Sequence, residues 1–105
     1  CLVGSEMCIR HACAMALKNL MGLVCDPVGG LVEVPCVKRN VGGAVNALAA
    51  ADMALAGITS KVPVDQVIDA MKEVGDKMDV SLRETGVGGV AGTPAAQEVV
   101  EKLGM

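Results

Sequence analysis

Apolar residues recur along the chain at helical spacing. Ser5 is placed to cap a segment in which Ile9, Cys13, Ala16, Leu17 and Leu20 fall on one face, with Gly22 as its stop. Asn40 is placed to cap a second segment, "VGGAVNALAAADMALAG", whose only polar side chains are Asn46 and Asp52. A helix apolar nearly all round is expected to be buried. In that reading the Asn40 side chain bonds a backbone N–H of the first turn, and its replacement by Ala costs about 1 kcal/mol. Pro63 stands at a first helical position before Val64, Val67, Ile68, Met71 and Val74, with Asp65 in the first turn, where the helix dipole favours an acid. After "SLRETGVGGVAG", Thr93 and Pro94 begin a last helix that ends near Leu103. No strand alternation persists, although "LVEV" is compatible with a brief extended stretch. The predicted class is all-α, a helical bundle-like domain with a loop between its first two helices.

Composition qualifies that picture. The 105 residues make one domain at most, and 52% are hydrophobic with no Phe, Tyr or Trp, so the core must come from Ala, Val, Leu, Ile and seven Met. Small side chains favour close helix contacts but bring little bulk per residue. Weak independent stability is therefore expected, as for a piece of a larger protein, and Cys1 in place of an initiating Met points the same way. The net charge is −3, with scattered basic residues, which gives no footprint for nucleic acid. Apolar runs fall well short of the roughly 18 residues of a membrane span. The chain reads as soluble.

Five cysteines, at positions 1, 8, 13, 25 and 36, are an odd number at irregular gaps and match a paired disulfide framework poorly. A reducing, cytoplasmic setting is expected, where free thiols serve as core residues, metal ligands or nucleophiles. Cys8 and Cys13 lie on or near an apolar helix and read as small core side chains. His11, the only histidine, reads as solvated or structurally bonded. The glycines of "GVGGVAG" do not spell G-x-G-x-x-G and follow no strand, so a flexible or close-packed turn is the expectation. Arg83 and Glu84 read as a surface or loop-bracing pair.

Cys25 and Cys36 differ from the other cysteines. They lie within a loop, "GLVCDPVGGLVEVPCVKRN", outside the helical apolar stripes, which is stiffened by Pro27 and Pro35 and turns at Gly29 and Gly30. Thiolates in a prearranged loop suit a soft metal. Zinc sites commonly use C-x-x-C pairs, absent here, whereas an iron-sulfur cluster tolerates wider spacing but needs three or four cysteines. Spacing alone leaves a metal centre, a cluster and plain thiols all open.

That stretch, followed by "AADMALAGI", "VDQVIDAM" and "SLRETGVGG", resembles the C-terminal part of the α chain, or α domain, of the iron-sulfur-dependent L-serine dehydratases, over residues from about Leu17 to Pro94. The resemblance implies a lyase that converts L-serine to pyruvate and ammonia without pyridoxal phosphate, using an oxygen-sensitive 4Fe-4S cluster held by three cysteines. Cys25 and Cys36 match two of those ligands in C-D-P and V-P-C contexts. The third belongs to an A-C-S-M type segment upstream of this chain, a role that does not transfer to Cys8 or Cys13. The catalytic base and much of the serine-binding apparatus are expected in the missing N-terminal part, and the regulatory β chain or β domain is the expected partner in an oligomer. The isolated 105 residues are expected to be inactive. Two alternatives stand beside this reading: a cysteine desulfidase-like relative on the same scaffold, and a non-catalytic helical interaction module whose cysteines are buried.

Overall fold

The computed structural model describes residues 5–104, so Cys1 lies outside the described residues. Its α-helices are α1 (Glu6–Leu20), α2 (Cys36–Leu55), α3 (Val64–Lys77) and α4 (Pro94–Lys102), with short 3-10 turns at Val28–Gly30, Val80–Leu82 and Gly89–Gly92. Among the described residues no strand forms, and the extended pairing reduces to one parallel bridge between Cys25 and Arg83. The all-α expectation holds, and "LVEV" folds into turns. The chain divides into two compact units, one made of residues up to 22 with 42–76, the other of 23–41 with those from 77 onward.

In the first unit α1 begins where the Ser5 hydroxyl accepts the Cys8 N–H at 3.2 Å, satisfying one of the amides that a helix start leaves without a partner. Its buried face is not the expected one. Cys8, Ala14 and Met15 are buried, whereas Cys13 is exposed and Ile9 largely so. The partner element decides this: the second half of α2 presents Ala50 and Ala54, and their small side chains let Cys8, Ala12, Met15 and Ala16 approach. Asn46 joins the two helices by donating to the Ala16 carbonyl (3.0 Å) and accepting from Asn19 (2.9 Å).

His11 is structurally bonded, as expected. Its Nδ1 accepts the Ser60 N–H at 3.0 Å, while the Ser60 hydroxyl accepts from Lys18 and donates to the Val62 carbonyl, both at 2.7 Å. These bonds anchor the segment that leads into α3. There the Pro63 carbonyl accepts the Val67 N–H at 3.0 Å, and Val67 is fully buried, though Ile68 on the same expected face is exposed.

Helix α2 departs from the sequence reading in two ways. It starts at Cys36, ahead of Asn40, because Val37 and Arg39 donate to the Glu33 and Pro35 carbonyls (3.2 and 3.1 Å). Proline suits such a start, since its φ is already helical and its missing N–H is not needed there. Asn40 therefore lies inside the helix, where its side chain donates back to the Cys36 carbonyl at 2.9 Å, and the cap reading is overturned. Asn40→Ala is now expected to raise stability by about 0.5 kcal/mol through helix propensity alone, a direction opposite to that of a lost cap and readable in thermal melts. Secondly, α2 is not buried all round. Only Ala50 and Ala54 are buried, while Val37, Val41, Val45 and Leu48 are 60–69% exposed. An apolar pattern sets what can be buried, and a neighbouring element must still cover it.

In the second unit α4 starts where Thr93 accepts the Ala96 N–H at 3.3 Å, with Pro94 in its first turn. It packs against the turns Val28–Gly30 and Gly89–Gly92.

Candidate functional site

The second unit gathers the residues that carry chemistry. Cys25 is held by backbone bonds to the "SLRETG" stretch: its N–H donates to the Leu82 carbonyl at 3.1 Å, and its carbonyl accepts the Glu84 N–H. Glu84 adopts a φ of 59°, an unusual conformation for a residue with a side chain. The loop after Cys25 closes on itself where the Val28 N–H donates to the Val34 carbonyl at 2.9 Å, and the Val34–Pro35 peptide is cis. Cys36 follows as the first residue of α2, so it sits on a helix and not, as expected, within the loop. Arg83 and Glu84 form no ion pair with each other among the described residues; the bonds that brace Cys25 come from the backbones of Leu82 and Glu84, on either side of Arg83.

Both thiols are free, with Cys25 exposed and Cys36 half-buried. Desolvation, then the charges of Glu84, Cys36 and Asp26, push the Cys25 thiol above its ordinary value, and Arg39 opposes them. Cys36, at the start of α2, belongs to the same compact unit as Cys25. Two soft donors in that relation fit a thiophilic metal or cluster. They do not complete a site, since among the described residues no group of three or more His, Cys, Asp or Glu could hold a metal ion. Because Glu84 raises the Cys25 thiol pKa, Glu84→Gln should increase its thiolate fraction. At fixed pH the metal-free variant is then expected to alkylate faster at Cys25 than the wild type, as followed by peptide mass spectrometry; an equal rate would remove Glu84 from the site's electrostatics.

Next to Cys25 lies a buried acid that the sequence reading did not single out. Asp26 is 1% exposed. One of its oxygens accepts from the Arg39 guanidinium and the other from the Val90 N–H. Burial alone would raise its pKa, but the Val90 amide and Arg39 outweigh it and hold the carboxyl below the usual range. The same guanidinium nitrogen of Arg39 donates to the Val24 carbonyl at 2.8 Å. The glycine stretch explains itself here. At Gly89, with φ 60°, an added Cβ would lie 2.9 Å from both Cβ and Cγ of Asp26, so "GVGGVAG" is a close-packed turn around a carboxylate. The missed signal lay in the start of α2: from Cys36, Arg39 falls one turn along on the same side, facing back toward the Cys25 loop.

The family model described as serine dehydratase alpha chain matches residues 1–91. A probable L-serine dehydratase, alpha chain, of Bacillus subtilis is 64% identical over 93 residues, which are 89% of this chain and 31% of that protein. The similarly named protein of Latilactobacillus sakei is 64% identical over 91 residues, 87% of this chain and 44% of the relative. The L-serine dehydratase, alpha chain, of Peptoniphilus asaccharolyticus is 52% identical over 89 residues, 85% of this chain and 30% of the relative. The chain thus spans under half the length of these curated relatives. No solved structure matches it.

Proposed function

Because the chain belongs to the serine dehydratase alpha chain family, we propose that it forms the C-terminal portion of the catalytic α chain of an iron-sulfur-dependent L-serine dehydratase. Cys25 and Cys36 are two ligands of a 4Fe-4S cluster in this reading, and the third comes from elsewhere in the α chain. The observation that supports it is that both thiols are free and belong to one compact unit, Cys25 on a loop held by backbone bonds to Leu82 and Glu84 and Cys36 at the start of α2. A module with merely buried cysteines does not fit, since Cys25 is exposed.

The overall reaction removes the α-proton and the hydroxyl of L-serine as water. The resulting aminoacrylate tautomerises and hydrolyses to pyruvate and ammonia. When bound through three thiolates, the cluster supplies an iron with an open position as a Lewis acid for the leaving hydroxyl. This chain's own contribution is to hold: the backbone bonds to Leu82 and Glu84 fix Cys25, and the start of α2 fixes Cys36. With its thiol pKa raised, Cys25 is protonated at neutral pH until a metal displaces the proton, so cluster uptake should release protons and slow as pH falls. No residue here is assigned as the base. The β chain is the proposed partner and the reducing cytoplasm the proposed setting; among the described residues no helix is long and apolar enough to cross a membrane.

The test is anaerobic reconstitution of the full α chain with its β chain, followed by iron and sulfide content, visible absorption and pyruvate formation from serine, threonine and cysteine. Cluster uptake with serine as the preferred substrate is expected. Preference for cysteine with sulfide release would favour the desulfidase-like alternative. The isolated 105 residues should form no pyruvate, because two thiolates do not specify a three-thiolate site; measurable turnover by that piece alone would overturn the ligand count.

A further inference from the structure

Cys25 and Cys36 lie on different elements, one on a loop held by backbone bonds and the other on the first residue of α2. Their separation is useful to a cluster only if something ties loop to helix. The bond that does so is made by neither cysteine. Arg39 stands one turn beyond Cys36 on α2, and its guanidinium brackets Cys25, donating to the carbonyl of Val24 on one side and to the carboxylate of Asp26 on the other. Asp26 cannot swing away, because it is buried, its second oxygen is bound to the Val90 N–H, and the backbone at Gly89 closes over it.

We propose that Asp26 and Arg39 are positioning residues, a buried clamp that fixes the relative placement of the Cys25 and Cys36 thiolates. The proposal rests on the reading of those cysteines as cluster ligands. Both bonds come from one terminal nitrogen of the planar guanidinium, whose N–H directions are fixed; a lysine ammonium keeps the charge but sits on a shorter stem with freely rotating donors. Carboxylate and arginine act here only through the ligands, as outer-shell partners do at other metal centres. The pair also accounts for a buried acid in a loop otherwise rich in glycine, proline and valine, where an unpaired carboxylate would be strongly disfavoured.

The deciding experiment compares wild type, Arg39→Lys, Asp26→Asn, Cys25→Ser and Cys13→Ser in the full α chain with its β chain, all reconstituted anaerobically. Its readouts are iron retained under a fixed chelator challenge and the EPR signal of the reduced cluster, with far-UV circular dichroism as the check on folding. Arg39→Lys and Asp26→Asn are expected to keep the helical signal, broaden or shift the EPR signal and hold iron roughly 10- to 100-fold less tightly, the range for outer-shell partners of metal ligands. Cys13→Ser should match wild type. If both clamp variants retain iron and the EPR signal as wild type does while Cys25→Ser loses them, the clamp is overturned and the ligand assignment stands. If Cys25→Ser also retains its cluster, the ligand assignment itself fails. Loss of helical signal in Arg39→Lys, the milder variant, would likewise overturn the proposal, since the pair would then be holding the fold and not the placement of two sulfurs.

Discussion

Cys25→Ser and Cys36→Ser, each made in the complete enzyme, are expected to abolish visible cluster absorbance and pyruvate formation together. Serine keeps nearly the volume of cysteine but offers a hard, weakly acidic hydroxyl where iron in a sulfide cluster prefers a soft thiolate. Neither position punishes the change for other reasons. Cys25 is exposed and Cys36 half-buried, so a hydroxyl at either place keeps access to water and should not unfold the chain. Cys13→Ser is the matched control, and because Cys13 is exposed rather than a core residue, no loss of cluster, activity or stability is expected there. Iron content, absorbance and pyruvate production measured on the three anaerobic preparations decide the matter. A full cluster in either variant would remove that residue from the ligand set.

What the sequence made legible follows from which forces are local. Helix starts at Ser5, Pro63 and Thr93 were readable because a cap or a proline acts within one turn of itself, and each stands where its side-chain or backbone bond is found. The start of α2 was misplaced because two local signals competed: Asn40 is a fair cap, but the Pro35 and Glu33 carbonyls upstream already accept helical bonds. That error of one turn hid Arg39, whose partner Asp26 lies 13 residues away in sequence and is joined to it only by tertiary structure. Burial was the least legible property. Periodicity gave α1 a face through Ile9 and Cys13, yet the element lying against it selected Cys8 and Met15 instead. The apolar surface of α2 was written into the sequence, but within this chain only its Ala50 and Ala54 are buried, and the matched stretch is under half the length of the curated relatives. Cys25 and Cys36 were singled out through the resemblance of their flanking motifs; the buried Asp26 beside Cys25 became visible only in the fold.

Gly89→Ala should cost far more than Gly57→Ala, although both glycines have positive φ. At Gly57, with φ 91°, an added Cβ meets nothing within 4 Å, so the cost is that of a left-handed alanine, about 1 to 2 kcal/mol. At Gly89 the same conformational cost applies, and the new methyl also enters the space of the Asp26 side chain, a fully buried group that cannot retreat into water. Displacing it weakens the bonds from Val90 and Arg39; since Arg39 is 40% exposed, the added penalty belongs at the lower end for a broken buried pair, about 3 kcal/mol. Acid gives an independent check. Asp26 has a folded-state pKa below its unfolded value, so its contribution to stability is complete above the ordinary carboxylate range and is lost as pH falls through the depressed folded value. Wild type should therefore lose stability across that acid window, whereas Gly89→Ala, with the carboxylate already displaced, should show a shallower dependence. Chemical denaturation of the full α chain at neutral and acid pH, with hydrogen exchange of the Val90 amide as the local reading, measures both effects. Equal losses for the two alanine variants, with parallel pH profiles, would mean that Gly89 is required for its backbone angle alone and that the carboxylate beneath it does not depend on the missing side chain.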